Sequence, residues 1–282
     1  GCGVSSGHSE KIILDIFKGY LCHPLIKDSL VLEHGCENLH LGYLRRFLVE
    51  ENIDLSAYGW ASIQKDGGIE SVLLKIENWF SDIEVENLHS NCNLNVSENV
   101  YSVAILGESY IDAEVAKGFA LLCQTMSEAG ISVILPKSAS LLQSKIFLTE
   151  LFVDTGVAPN IAAANIPKVP GVHIMETHSD QFVENMTVLG ASGVQLFVAY
   201  ADSVLPQGHP FIPMLRICAS GSDASLRQAQ VFDVNALSSS LLWIEETVDT
   251  IRDIQAGHFK VQAMLSEYVD FQIPRGPSAV SM

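Results

Sequence analysis

No hydrophobic run in this chain approaches the ~20 residues that a membrane-spanning helix needs; each is broken by Lys, Glu, Asp, Ser or Gly. Cations are scarce. The 282 residues carry 16 Lys and Arg against 33 Asp and Glu, a formal charge of −17. Such a field repels the phosphates of nucleic acid and anionic lipid alike. Neither nucleic acid nor a membrane is expected as a partner, and an anionic ligand would need a local cluster of cations. Residues 1–6 hold neither the basic nor the apolar stretch of a secretory leader. The six cysteines, at 2, 22, 36, 92, 123 and 218, include no Cys-x-x-Cys pair. Their spread reads as the reduced thiols of a cytoplasmic protein, not as a disulfide framework. Internal repeats and low-complexity segments are also absent.

What remains is the composition of an ordinary globular protein, with 48% hydrophobic and 17% charged residues. The length exceeds what one small core organises, so one large or two modest domains are expected. Short β-rich runs alternate with longer stretches of helical periodicity. Ile12, Ile13, Ile16, Phe17 and Tyr20 share one helical face over 8–21; a strand at 29–32, a helix at 39–51, a strand at 60–63 and a helix at 68–80 follow. Residues 81–99 carry acidic, Asn and Ser side chains with little apolar periodicity and read as a linker. Beyond them come strands at 100–106, 131–135, 172–175, 194–199 and 214–217, a short segment near Val231, and helices at 113–129, 141–152, 181–189 and 238–255. This predicts an α/β protein of two domains, 1–90 and 91–282, with mostly parallel, helix-covered sheets, the second Rossmann-like.

Chemistry-bearing residues gather near the start of the chain. Gly35-Cys36-Glu37 directly follows an apolar strand, and the carboxyl ends of parallel strands are where α/β proteins build their sites. Glycine permits the sharp turn that would expose Cys36 and Glu37. Cys2, between two glycines, suits a similar loop, and His23, His34 and Glu37 can bind a metal or move a proton. Each has a plainer role open to it. His23 precedes Pro24, a common helix end, and Glu37 and Asn38 suit the cap of the helix that follows. Lys65, in Gln64-Lys65-Asp66-Gly67-Gly68, is the nearby cation that could meet a carboxylate.

Several segments together resemble the altronate/D-galactarate dehydratase family. They are Gly1-Cys2-Gly3, the run Gly19-Tyr20-Leu21-Cys22-His23-Pro24, the strand ending Gly35-Cys36-Glu37-Asn38, and Ile63-Gln64 with Gly67-Gly68. Gly190 to Leu196, Asp233-Val234-Asn235-Ala236 and the closing Ala279-Val280-Ser281-Met282 resemble later segments of the family. The resemblance implies loss of water from a sugar acid such as altronate or galactarate. A divalent metal, iron in this family, would stabilise the enediolate formed by proton abstraction next to a carboxylate. It further implies Cys2 and Cys36 as metal ligands, Glu37 and His23 as catalytic groups, and Gln64, Lys65 and Arg216 as holders of a small carboxylate substrate. Assembly into a homo-oligomer is compatible with it.

The second half departs from that family. Leu106 stands where it has a cysteine, its long Pro/Gly loop has no counterpart between 138 and 171, and its Gly-Arg-Gly turn is replaced by Ala199-Tyr200-Ala201. A dianionic sugar acid needs convergent cations and backbone donors. Three readings stay open: an active lyase with a rearranged site, a lyase for a smaller and less charged substrate, and a non-catalytic paralogue serving as a binding or assembly subunit.

Overall fold

The structure is a computed structural model, and it describes residues 8–35, 39–86, 101–107, 111–154, 159–177, 179–201, 206–218, 232–236 and 240–274. The chain divides into two compact units, one within Gly1–Val96 and the other spanning Ser97–Pro274. Both are α/β, with parallel strands covered by helices.

In the first unit α1 (His8–Leu21), β1 (Leu30–Glu33), α2 (Leu41–Glu50), β2 (Gly59–Ser62) and α3 (Ile69–Glu86) follow in order. The two strands pair in parallel, from Leu30 opposite Gly59 to Glu33 opposite Ser62. Leu14 of α1, Leu44 and Leu48 of α2, Ile53 and Tyr58 bury a small core between these elements. α3 runs six residues past the end expected from sequence, into the stretch read as a linker. Its buried side explains why. Val72, Ile76, Trp79 and Ile83 recur at helical spacing, and Ile83 is buried as Val72 is. The acidic residues between them lie on the other sides of the helix, where their density hid the apolar stripe.

The second unit is built on a six-stranded sheet of β3 (Ser102–Gly107), β4 (Ser132–Pro136), β5 (Gly171–Met175), β6 (Leu196–Ala201), β7 (Met214–Cys218) and β8 (Val234–Asn235). Every neighbouring pair is parallel, in the order β5-β4-β3-β6-β7-β8. That is the strand order of the Rossmann sheet, with its reversal between β3 and β6. The helices are α4 (Ala113–Glu128), α5 (Lys145–Asp154), α6 (Phe182–Gly190), α7 (Ser240–Gln255) and the short α8 (Gln262–Leu265). Strands buried on both faces are near-continuously apolar, and all six residues of Leu196–Ala201 are buried. On one face Val103, Ile105, Val198, Tyr200 and Leu215 meet α4 and α7, where Phe119 lies 4.9 Å from the ring of Tyr200 and 5.2 Å from that of Trp243. The segment near Val231 expected from sequence lies outside the described residues, as do residues 1–3.

Candidate functional site

The first unit brings some of the residues singled out from sequence to one strand edge. Beyond β1 and β2, His34 and Gly35 come beside Gln64, whose amide nitrogen donates to the His34 carbonyl. Gly35 has φ +116, and a Cβ there would fall 2.8 Å from the Gln64 side chain. Glycine is needed at this point for both reasons. Lys65, whose side chain is largely exposed, pairs within the unit. Its ammonium lies 2.9 Å from Glu33, a buried carboxylate that also accepts from the Leu41 amide at 2.6 Å. Burial pushes the Glu33 carboxyl up, but the Leu41 amide, Lys65 and the Ser62 hydroxyl outweigh it and hold it below the ordinary carboxylate range. Glu33 therefore ties β1, the start of α2 and the turn after β2 together. Sequence reading missed it, although an acid closing an apolar strand is the signal that marks it.

His23 is buried just past α1, stacks near Tyr20, and its Nδ1 accepts from the Leu25 amide at 3.1 Å. The helix-end role open to it in the sequence is the one these contacts describe. Cys2, Cys36 and Glu37 lie outside the described residues. Among the described residues no three His, Cys, Asp or Glu side chains converge to hold a metal ion. Cys123 and Cys218 are buried and in no disulfide, whereas Cys22 is disulfide-bonded, against the expectation of reduced thiols. Arg216 belongs to the other unit from Gln64 and Lys65.

The second unit offers a denser constellation at the carboxyl edge of its sheet, where open α/β sheets bind ligands beside the strand reversal. Lys137 and Ser138 follow β4, and Glu176 and Thr177 follow β5. Lys137 pairs with Glu176 at 2.9 Å. Asn185, near the start of α6 and 4% exposed, donates from its amide nitrogen to Ser138 Oγ at 2.9 Å. Its Oδ1 and the Oγ1 of Thr177 are buried without a hydrogen-bond partner among the described residues. Nearer the reversal, Tyr200 donates to or accepts from Ser140 Oγ at 2.8 Å. Burial pushes its phenol up to about 12 despite that bond and one to Leu141, so it stays protonated.

The sequence after β3 lacks the dinucleotide-binding fingerprint. It reads Gly107-Glu108-Ser109-Tyr110-Ile111-Asp112, with one glycine where that fingerprint has three. Asp112 caps α4 and accepts from the Val115 amide at 2.9 Å. A carboxylate of the protein's own thus occupies the positive helix end where a bound phosphate would sit.

On the opposite sheet face from α4, Arg216 of β7 is fully buried. Its Nη1 is 3.5 Å from Ser266 Oγ, its Nη2 is 3.4 Å from the Tyr268 carbonyl, and its Nε has no partner among the described residues. Asp233 accepts from the backbone amides of Arg216 and Gln262 at 2.8 and 2.9 Å. Burial lowers the Arg216 pKa against the opposing charges of Asp233 and Tyr268. It raises that of Asp233, with the two amides and Arg216 working the other way. A cleft of about 260 Å³ beside Tyr101, Gly130 and Gln255 lies at the amino edge of the sheet, away from all these groups.

No protein-family model matches the chain, and neither does any curated protein. Among solved structures it is similar to a UDP-GlcNAc 2-epimerase from Neisseria meningitidis bound to UDP-GlcNAc, with 10% identity and a TM-score of 0.35 over 83% of this chain. The chain spans 56% of the length of that protein. The expected resemblance to altronate/D-galactarate dehydratases is corrected by these findings. No family model and no curated protein carries it. With it go the sugar-acid lyase activity and the altronate and galactarate substrates. Iron rested on that resemblance alone, and Cys2 and Cys36, the residues expected to hold it, lie outside the described residues. The physical reason lies in the motifs. Gly-Cys-Glu and His-Pro are short, and strand ends and helix ends generate them for reasons of turn and cap geometry alone.

Proposed function

We propose that the second unit binds a neutral small molecule rich in hydroxyl or N–H groups at the carboxyl edge of its sheet, between β4, β5 and the start of α6. One observation carries this reading. Asn185 Oδ1 is an acceptor withdrawn from water with no hydrogen-bond partner among the described residues, and burying such a group costs roughly 1–3 kcal/mol. A ligand hydroxyl or amide would supply the donor, and Thr177 Oγ1 beside β5 offers a second point of attachment.

The charges at this edge argue for a neutral ligand. Lys137 is already paired with Glu176, and Asp112 fills the end of α4. The acidic balance of the whole chain acts in the same direction. Among the described residues no helix is long and apolar enough to cross a membrane.

Calorimetric titration of the full chain with myo-inositol, glucose and adenosine tests the reading, with adenosine monophosphate as the charged counterpart. At least one neutral compound should bind saturably, adenosine monophosphate should bind more weakly than adenosine, and Asn185→Leu should abolish binding while the chain stays folded. Silence from all three neutral compounds, or equal binding by Asn185→Leu, refutes it.

A further inference from the structure

A second feature of the same unit lies on the other part of the sheet and has a different chemistry. Arg216 carries five N–H donors in a planar fork, and among the described residues only two of its nitrogens are engaged, both at long distances of 3.5 and 3.4 Å. Its Nε has no partner among the described residues, although the side chain is fully buried. Among the described residues no carboxylate lies in an ion pair with it. Asp233 is close enough to act on its charge, but both oxygens of Asp233 are taken by main-chain amides. A buried cation usually has its donors matched, because leaving them empty forfeits the hydration it lost.

The segment that covers this fork is poorly fitted to do so. It runs from α8 through Ser266 to Phe271, and is held by the Gly208 amide on the Tyr268 carbonyl at 2.8 Å and the Asp270 amide on the Gly208 carbonyl at 3.0 Å. Between the two residues that touch the guanidinium stands Glu267, at φ 53. This left-handed conformation is unfavourable for a non-glycine residue. Leu265, Tyr268 and Phe271 of the same strap are exposed large apolar side chains. The strap closes over Arg216 at a cost in backbone strain, and gains two long hydrogen bonds to it.

We infer that Arg216 is the floor of an anion site, closed by the 266–271 strap, that takes a carboxylate or phosphate oxyanion in bidentate fashion. The oxyanion replaces the contacts of Ser266 and Tyr268, engages Nε together with one terminal nitrogen, and the strap lifts to admit it. Planar recognition by a guanidinium fork is the geometry that carboxylates and phosphates both satisfy.

The test uses the full chain at constant ionic strength, with acetate and inorganic phosphate as separate probes. Binding is read by calorimetry, and amide hydrogen exchange is followed across 266–271. At least one anion should bind saturably and raise exchange in the strap by about tenfold, the two probes telling carboxylate from phosphate. Arg216→Lys, which keeps the charge and loses the fork, should weaken binding at least tenfold, while Lys117→Met at an exposed ion pair on α4 should change nothing. Should Arg216→Lys not fold, Ser266→Ala decides. It leaves the guanidinium in place and removes one of its two contacts, so it should tighten anion binding. No saturable binding of either anion, unchanged exchange in the strap, or unaltered affinity in Ser266→Ala overturns the inference.

Discussion

The ring of Tyr200 lies against the α-carbon of Gly107, in the space that any Cβ at that position would require. The two residues are direct cross-strand partners at the junction of β3 and β6, so the close approach sits at the strand reversal. A glycine that in a dinucleotide-binding protein would admit a ligand to the backbone here admits a tyrosine. Its phenol is anchored to Ser140.

Gly107→Ala is therefore expected to destabilise the second unit by about 1–3 kcal/mol, the usual cost of overpacking. Tyr200→Leu will be destabilising in its own right. In a double-mutant cycle read by urea unfolding, the pair should cost clearly less than the sum, because removing the ring frees the space that the alanine needs. Additive costs would mean that the two residues do not compete for the same volume.

Glu33 gives the first unit a pH dependence with a definite sign. Its pKa in the fold lies below the ordinary 4.5, so the unfolded chain binds the proton more readily. The stability it contributes is full above 4.5 and is lost as the pH falls through the lower folded value. Glu33→Gln should flatten the unfolding free energy across that acid window while leaving the rest of the pH profile in place. An unchanged acid slope in the variant would rule out this role.

Strain at Glu267 makes another measurable statement. Replacing it with glycine removes an αL penalty of roughly 1–2 kcal/mol, partly offset by the greater freedom of glycine in the unfolded chain. Glu267→Gly should raise stability by up to about 1 kcal/mol and slow hydrogen exchange in the strap. A loss of stability would show that the Glu267 side chain is worth more than the strain it imposes.

The thiols divide by accessibility to alkylation. In the unfolded chain without reductant, Cys123 and Cys218 should react with iodoacetamide, whereas Cys22 should react only after reduction, in keeping with its disulfide. Peptide mass spectrometry distinguishes the three. Modification of Cys22 before reduction would show that the bond does not form in solution.

Much of the architecture is legible in the residues because parallel strands buried on both faces leave short continuous apolar runs, such as Val103-Ala104-Ile105-Leu106 and Leu196-Phe197-Val198-Ala199. Their order in the sheet is not legible, since nothing local says that β6 inserts beside β3. The end of α3 was hidden because the acids interleaved with Trp79 and Ile83 dilute the periodicity. Site residues fared differently. Lys65 looks free for a substrate in the sequence, and only the register of β1 on β2 reveals that Glu33 faces it. Arg216 stands out as a cation, but its burial depends on long-range packing. Asn185 gives no signal, because an unmatched carbonyl oxygen is a property of the folded surroundings. The dehydratase resemblance failed for a related reason: dipeptides that turn a chain or cap a helix recur wherever strands meet helices.

Val103 on β3 pairs with Leu196 on β6, its partner from far along the chain. The strands of each half, β5-β4-β3 and β6-β7-β8, are joined by connections between neighbours, so each half can assemble without waiting for the other. The seam between them closes only when the chain has looped through α4, β4, α5, β5 and α6. Loop-closure entropy is thus met at the middle of the sheet, not at its margin. Refolding of this unit is expected to be limited by that single docking event, so that substitutions along β3 and β6 slow refolding while those at β5 and β8 chiefly hasten unfolding.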